Sequence, residues 1–319
     1  MKQAFLATWA LAGLVGLAGP TTAQSSPPPI RLLVPLAAGG PSDQAARLLV
    51  KQLAKTLGQD VIVENKPGAN GALGAQAVAT SPADGHTLLF APSGMAGLPV
   101  LMKSPPYASL TEFVPLGAVG GNQICLFVYP GLPVKTAQEF VAHASANPNK
   151  LSYGTSSLGE YLATAQLMQV TGIQMARIPY RGSAAMLPDL MEGRVQVGFM
   201  PAGSGAAHAK AGRLKLLGCN VPQRLPGLPE VPTLAESGVP AMGSRPYHLV
   251  LAPAKLPPDL ATRLSAAVRR AASEPELRSE FDRLLIPVDT LTPEQATEAI
   301  REGERIWAQF VRDAGIAPE

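Results

Sequence analysis

The stretch VPLAAGGPSDQAARLL (34–49) joins the end of an apolar run to the start of a helical pattern through two glycines and a proline. Residues 30–36 are almost continuously apolar, which is typical of a buried strand. Further along, apolar residues recur at helical spacing as far as Gly58. The sequence therefore predicts a helix over 41–57, with Pro41 in its first position and Gly58 just beyond its end.

The loop between this strand and this helix has two interpretations. The first turn of a helix leaves backbone N–H groups without partners, and the helix dipole adds partial positive charge there. Such a corner can hold an anion without any basic side chain. It can equally be a tight connection, since glycine and proline are the residues that turns require.

The rest of the chain repeats the same alternation of strand and helix. We predict further strands at 61–65, 86–91, 124–129, 151–154, 175–179, 195–199, 214–219 and 247–252, and mostly helix from Pro257 onward. Apolar strands that alternate with helices indicate an α/β protein whose parallel sheets are covered on both faces. A chain of 319 residues favours two lobes over one core.

The N-terminus has the pattern of an export signal. Lys2 precedes the apolar run FLATWALAGLVGLAG (5–19), and the small residues at 21–23 suit cleavage near Ala23. An anchoring helix is the alternative, but no cluster of positive charge follows the run. We therefore expect a signal peptide at 1–23 and a mature protein in the periplasm.

Cysteine usage leaves two states open. An oxidising compartment permits a disulfide between Cys125 and Cys219. Each cysteine also lies in or beside an apolar run, and small buried thiols are common at strand ends. The sequence favours two free thiols.

Composition and motifs argue against several functional classes. The net charge of +3 is small and evenly spread, so nucleic acid is not an expected partner. We expect no metal and no cofactor, because the cysteines and histidines lack metal-ligand spacing and no phosphate-binding loop is present. The absence of a Gly-x-Ser-x-Gly elbow argues against an enzyme. A serine hydrolase remains an alternative, and it would need a histidine within reach of Ser156 or Ser157.

Three more loops of small residues follow predicted strands. Their sequences are APSGMAG (91–97), GTSSLG (154–159) and PAGSGA (201–206). Ligands of open α/β sheets bind outside the carboxyl ends of the strands, where these loops would lie. Together with the 37–43 loop they favour a cleft lined by backbone groups.

Long stretches of the chain resemble the Bug family, the extracytoplasmic receptors of tripartite tricarboxylate transporters. The resemblance is carried in order by 34–49, by LGQDVIVENKPGANGALGAQAVATSPADGHTLL (57–89), by IPYRGSAAMLPDLMEGRVQVGF (178–199) and by LPGLPEVPTLAESGVP (225–240). It implies a type II periplasmic-binding-protein fold, in which a ligand lies between two lobes joined by two crossing strands. One lobe would contain 28–126 and 248–319, and the other 127–247.

The resemblance also implies a function. Such receptors hold a carboxylate mostly by backbone N–H groups and ordered waters. We therefore expect a small organic acid or amino-acid-like ligand, delivery to membrane transporter subunits, and a monomer. An orphan receptor that presents its ligand to a sensor protein is an alternative. The candidate ligand-binding residues are Ala38, Gly39, Gly40, Ser42, Asp43, Ser93, Thr155, Ser156, Ser157 and Pro201, with bare N–H groups expected at Gly39 and Gly40. For Asp43 alone, helix capping is preferred to ligand contact.

One loop departs from the family pattern. The family usually has a glycine-rich loop followed by a histidine here, whereas this chain has YGTSSLGEYLATAQL (153–167), with Tyr161 in place of the histidine. Glu160 would repel an anionic ligand if it faced the cleft. We prefer the interpretation that Glu160 faces solvent at a helix start, where a carboxylate favours the dipole.

Overall fold

A computed structural model describes residues 27–240, 242 and 245–318, so the expected signal peptide lies outside the described residues. Ten strands are present: β1 Ile30–Val34, β2 Val61–Asn65, β3 Thr87–Pro92, β4 Val114–Gly120, β5 Ile124–Val128, β6 Ser152–Thr155, β7 Ala176–Pro179, β8 Val197–Pro201, β9 Lys215–Cys219 and β10 Tyr247–Ala252. They form two five-stranded sheets. The two-lobed α/β arrangement that the resemblance implies is therefore observed.

Within the described residues, ten α-helices connect and cover these strands. They are α1 Pro41–Leu57, α2 Ala72–Ala79, α3 Leu98–Leu101, α4 Ala137–Ala146, α5 Leu158–Thr171, α6 Ser183–Met191, α7 Ala202–Lys210, α8 Pro258–Ser273, α9 Pro275–Arg283 and α10 Pro293–Asp313. The helix predicted over 41–57 is confirmed: Pro41 opens α1, and Gly58 ends it with φ 64°. None of the helices in the described ranges is both long enough and apolar enough to cross a membrane.

Each sheet is mixed, which corrects the expectation of parallel sheets. The first has the order β2-β1-β3-β10-β4, and β10 runs antiparallel to both neighbours. The second has the order β7-β6-β8-β5-β9, and β5 is likewise antiparallel to both neighbours. The reason is that β5 and β10 each enter a sheet directly from the other lobe, without the crossover helix that a parallel neighbour requires.

The crossings also lie slightly differently from the expected boundaries. All five residues of β5 pair within the second sheet, so the chain leaves the first lobe at 121–123 and not after 126. It returns through the segment before Tyr247, which begins β10 in the first sheet. The first lobe thus contains β1–β4 and β10, and the second contains β5–β9.

Helices cover both faces of each sheet. In the first lobe α1, α8 and α9 bury one face, while α2 and α10 bury the other. In the second lobe α4 and α5 lie on one face and α6 and α7 on the other. Burial on both faces explains why central strands such as β3, β5 and β10 are apolar at nearly every position. It also leaves the ends of the sheets, and the loops there, to form a binding surface.

The sequence analysis missed β4, whose sequence VPLGAVG contains a proline and two glycines. Those residues usually indicate a loop. Here the glycines allow another segment to approach closely: a Cβ on Gly117 would lie 2.9 Å from the Leu291 carbonyl, and one on Gly120 would overlap the Pro287 carbonyl. The strand lies at an edge of its sheet, where proline is tolerated.

Cys125 and Cys219 form a disulfide, which corrects the preference for free thiols. Cys125 lies in β5 and Cys219 ends β9, and the antiparallel register pairs them directly, with Cα atoms 3.9 Å apart. The two residues are 94 positions apart in sequence, so only the pairing of β5 with β9 brings them together.

Candidate functional site

The loops at the carboxyl ends of the strands enclose a cavity of about 180 Å³ between the lobes. The lining includes the first turns of three helices: Gly40, Pro41 and Ser42 of α1, Ser157–Glu160 of α5, and Gly182 and Ser183 of α6. We refer to this cavity as the cleft. Among the sequence-predicted residues, Gly40, Ser42, Ser93, Ser156, Ser157 and Pro201 line it.

Asp43 stabilises the 37–43 loop through its side chain and does not line the cleft. Its side chain is buried and accepts hydrogen bonds from Gly39 N, Arg47 Nε and Asn65 Nδ2, each at 2.9 Å. Burial alone would raise the pKa of Asp43, but these hydrogen bonds together lower it below its ordinary value. Asp43 is therefore a loop-stabilising carboxylate, in line with the preferred capping interpretation.

The structure corrects the expectation that the N–H groups of Gly39 and Gly40 lack hydrogen-bond partners. The Gly39 N–H donates to Asp43, and the Gly40 N–H points to the Ala37 carbonyl at 3.4 Å. Ala38 and Gly39 lie on the exposed side of the loop, outside the cleft lining. The N–H groups of Ser42 and Asp43 have no hydrogen-bond partner among the described residues. The N–H groups of this loop that are free to bind an anion thus lie three positions further along the chain than predicted.

A buried histidine that the sequence analysis did not assign to the site supports Ser42. His248 Nδ1 lies 2.7 Å from the Gly120 carbonyl, so Nδ1 carries the proton and Nε2 accepts. Ser42 Oγ lies 3.2 Å and Asn122 Nδ2 3.3 Å from Nε2. Burial lowers the pKa of His248 to about 4, which keeps the ring neutral. The signal in the sequence was a single polar residue within the apolar strand YHLVLA (247–252).

Ser93 offers a hydroxyl on the same wall. Its oxygen accepts the Tyr247 N–H at 3.1 Å. The hydroxyl proton has no acceptor among the described residues, so it is available to a ligand.

On the second lobe, Glu160 turns back into the cleft, which corrects the expectation that it faces solvent. Its side chain is only 2% exposed. One carboxylate oxygen accepts the Ser156 N–H at 2.5 Å and the Ser156 hydroxyl at 2.8 Å. Burial raises the pKa of Glu160 to about 7, although the hydrogen bonds from Ser156 act in the opposite direction. The Ser156 N–H is consequently occupied by the protein's own carboxyl group.

Two further residues of this loop face away from the cleft. Thr155 is buried and its hydroxyl accepts from Arg177 Nε at 3.1 Å, so it is a structural residue. Tyr161 lies under the Arg177 guanidinium, 4.0 Å from the ring centre, and packs near Trp307 and Phe310. Neither residue lines the cleft.

The start of α6 contributes residues that the sequence analysis did not identify. Arg181, Gly182 and Ser183 line the cleft, and Ser183 Oγ lies 3.1 Å from Ser156 Oγ. The stretch YRGSA (180–184) has the same form as the other loops, with a glycine and a serine between a strand and a helix. That pattern was the available signal.

The two lobes touch at the rim of the cleft through glycines. A Cβ on Gly94 would lie 2.9 Å from Gly159 N, and a Cβ on Gly203 would lie 2.6 Å from the Leu284 carbonyl. Each pair joins one lobe to the other. The lobes approach this closely only because neither glycine has a side chain.

A larger cavity of about 550 Å³ lies beside the cleft and shares Ser93 and Tyr247 with it. Its lining among the described residues is mostly apolar, with Arg245 and Glu302 as the charged residues and no α-helix N-terminus. We assign the functional site to the smaller cavity, because three helix starts converge there.

Comparison with known proteins gives a consistent result. Residues 45–315 match the model of the tripartite tricarboxylate transporter family receptor. The chain is 33% identical to Protein BugT of Bordetella pertussis over 306 residues, which cover 94% of each chain. It superposes with TM-score 0.84 on Rpa4515 of R. palustris with adipate, at 29% identity, covering 91% of this chain and 98% of that one.

A second structure extends this similarity. MatC from Rhodopseudomonas palustris with bound malate superposes with TM-score 0.80 at 27% identity, covering 88% of this chain and 98% of that one. The serine-hydrolase alternative is not supported by these neighbours. The site agrees: the Ser156 hydroxyl contacts Glu160 and Ser183, and His248 contacts Ser42 instead.

Proposed function

The chain belongs to the tripartite tricarboxylate transporter receptor family, and we propose that it captures a small carboxylate-bearing metabolite in the cleft between its lobes. It is a periplasmic solute-binding receptor and not an enzyme. The observation that carries the proposal is the convergence of three helix N-termini on one small cavity. Each N-terminus is equivalent to roughly half a positive charge.

Backbone donors support the carboxylate part of this proposal. Among the lining residues, the N–H groups of Ser42 in α1, of Leu158 and Gly159 in α5, and of Ser183 in α6 have no partner within the described residues. Arg181 adds a positive side chain to the lining. Adipate and malate, which the two structural neighbours hold, are small carboxylates. A cavity of about 180 Å³ suits a ligand of that size.

We further propose delivery to membrane transporter subunits by a monomeric receptor whose signal peptide is cleaved near Ala23. The family membership supports the transporter partner. The N-terminal sequence pattern supports the cleavage site. Presentation to a sensor protein remains the other outcome, and deletion of the transporter genes separates the two by whether uptake of the ligand is lost.

Calorimetry of the purified mature protein against a panel of small carboxylates tests the proposal. Each acid is paired with its primary amide, which is close to it in size and shape and lacks the charge. We expect at least one acid to bind and its amide to bind at least about tenfold more weakly, which corresponds to 1.4 kcal/mol. Arg181→Gln should weaken binding several-fold, whereas Arg213→Gln, on an exposed turn, should not. A folded protein that binds no acid in the panel would count against the proposal.

A further inference from the structure

Glu160 places an acid in a cleft that is otherwise built for anions. Its carboxyl group is buried at the start of α5, and it accepts the Ser156 N–H that would otherwise face the cavity. The Glu160 carboxylate therefore occupies the position from which a ligand carboxylate would accept the Ser156 N–H. The second carboxylate of a dicarboxylate ligand at that position would be repelled by the negative charge of ionised Glu160.

Helix capping does not explain why this side chain is buried. Glu139 occupies the equivalent position of α4, where Thr136 caps its N–H and its carboxylate accepts the Lys135 N–H at 2.6 Å. Those contacts repeat the ones that Ser157 and Ser156 make with Glu160. Glu139 is nevertheless exposed. The cap can thus form in water, so capping does not require the burial of Glu160.

The contacts of Glu160 leave its charge without a cationic partner. Its hydrogen bonds come from serine hydroxyls and backbone N–H groups, and no ion pair to it occurs among the described residues. Arg181, the basic residue that lines the same cleft, forms no hydrogen bond or ion pair within the described residues. The buried carboxyl group is neutral below its raised pKa of about 7, and above that pKa its negative charge lacks a compensating partner. A ligand that carries both charges would satisfy Glu160 with its cation and the helix starts and Arg181 with its anion.

We propose that Glu160 is a specificity-determining residue that selects small amino-carboxylates, whose ammonium group donates to the Glu160 carboxylate while their carboxylate binds the helix N-termini. This inference rests on the proposed function of the cleft and narrows its ligand class. The cavity volume of about 180 Å³ leaves room for a small ligand of amino-acid size.

Ligand triads that differ in one terminal group test the inference. The first triad is 4-aminobutanoate, succinate and butanoate. The second is 5-aminopentanoate, glutarate and pentanoate. Valine and 3-methylbutanoate form an additional pair. Calorimetry at pH 8 compares the wild type with Glu160→Gln, and with Glu139→Gln as the matched capping control. The glutamine retains an oxygen that can accept the Ser156 N–H.

We expect the wild type to prefer the amino member of at least one set by about tenfold or more over its dicarboxylate or unsubstituted partner. Glu160→Gln should abolish that preference, and Glu139→Gln should retain it. The preference of the wild type is a readout that does not depend on any variant folding.

The outcomes separate the inference from the proposed function. Binding of dicarboxylates or simple acids without an amino preference overturns the inference and leaves the carboxylate receptor intact. An amino preference that Glu160→Gln retains also overturns it, because another group then recognises the ammonium. If no member of the triads and no acid of the wider panel binds the folded wild type, the proposed function fails as well.

Discussion

The buried acid Glu160 should make the stability of this protein depend on pH in a way that one substitution removes. Burial raises its pKa from 4.5 to about 7, so between these values the folded state binds a proton that the unfolded state releases. Stability is therefore greatest below the unfolded pKa and is lost as the pH rises through the folded one. Glu160→Gln has no proton to lose.

The magnitude follows from the size of the pKa change. A rise from 4.5 to about 7 corresponds to roughly 3 kcal/mol of folding free energy, most of it lost between pH 5 and pH 8. His248, whose pKa burial lowers from 6.5 to about 4, acts with the opposite sign and loses its contribution as the pH falls. Since His248 is present in both proteins, its effect cancels when the variant is compared with the wild type.

Urea unfolding of unliganded wild type and Glu160→Gln at pH 5 and pH 8 measures the effect. The variant should gain roughly 2 to 3 kcal/mol relative to wild type between the two pH values. An effect of the substitution on the free energy of unfolding that is the same at both pH values cancels in this comparison. Glu139→Gln, whose carboxyl is exposed, should show no such gain. An equal difference at pH 5 and pH 8 would refute the reasoning, because Glu160 would then titrate like a solvated carboxyl.

Two other features of the fold lead to predictions. Replacing Cys125 and Cys219 by alanine should lower the free energy of unfolding by about 4 to 5 kcal/mol, since the bond closes a long loop. Urea unfolding without reductant measures this loss, and an unchanged midpoint would contradict it. Gly94→Ala places a Cβ 2.9 Å from Gly159 N and should hold the lobes apart. Ligand affinity should then fall by about tenfold while the unliganded melting temperature stays within a few degrees. Unaltered affinity would show that closure tolerates the methyl group.

Local sequence patterns predicted the elements that local chemistry determines. The limits of α1 follow from Pro41 at its start and Gly58 at its end. The buried strands follow from their continuous apolar runs. The small-residue loops follow from the glycines and serines that turns need, and six of the ten candidate residues lie on the cleft. In each case the signal lies within a few residues of the feature.

The features that the sequence analysis missed depend on distant parts of the chain. β4 is a strand because it pairs with the distant β10, while the segment 287–291 packs across its glycines. The disulfide exists because β5, entering from the first lobe, pairs antiparallel with β9. His248 joins the site because β10 returns from the second lobe and places it beside Ser42. No local pattern contains these pairings.

Glu160 shows most clearly the limit of prediction from sequence. Its position at a helix start was predicted correctly, but its burial was not. Ser157 and Glu160 form the same cap as Thr136 and Glu139. The sequence alone treats the two helix starts as equivalent. The difference arises when α5 points its first turn at the other lobe and Gly159 meets Gly94, which excludes water from one carboxyl and not from the other. The fold thus turns a routine capping residue into a buried acid, and a ligand ammonium group would compensate its charge once the acid ionises.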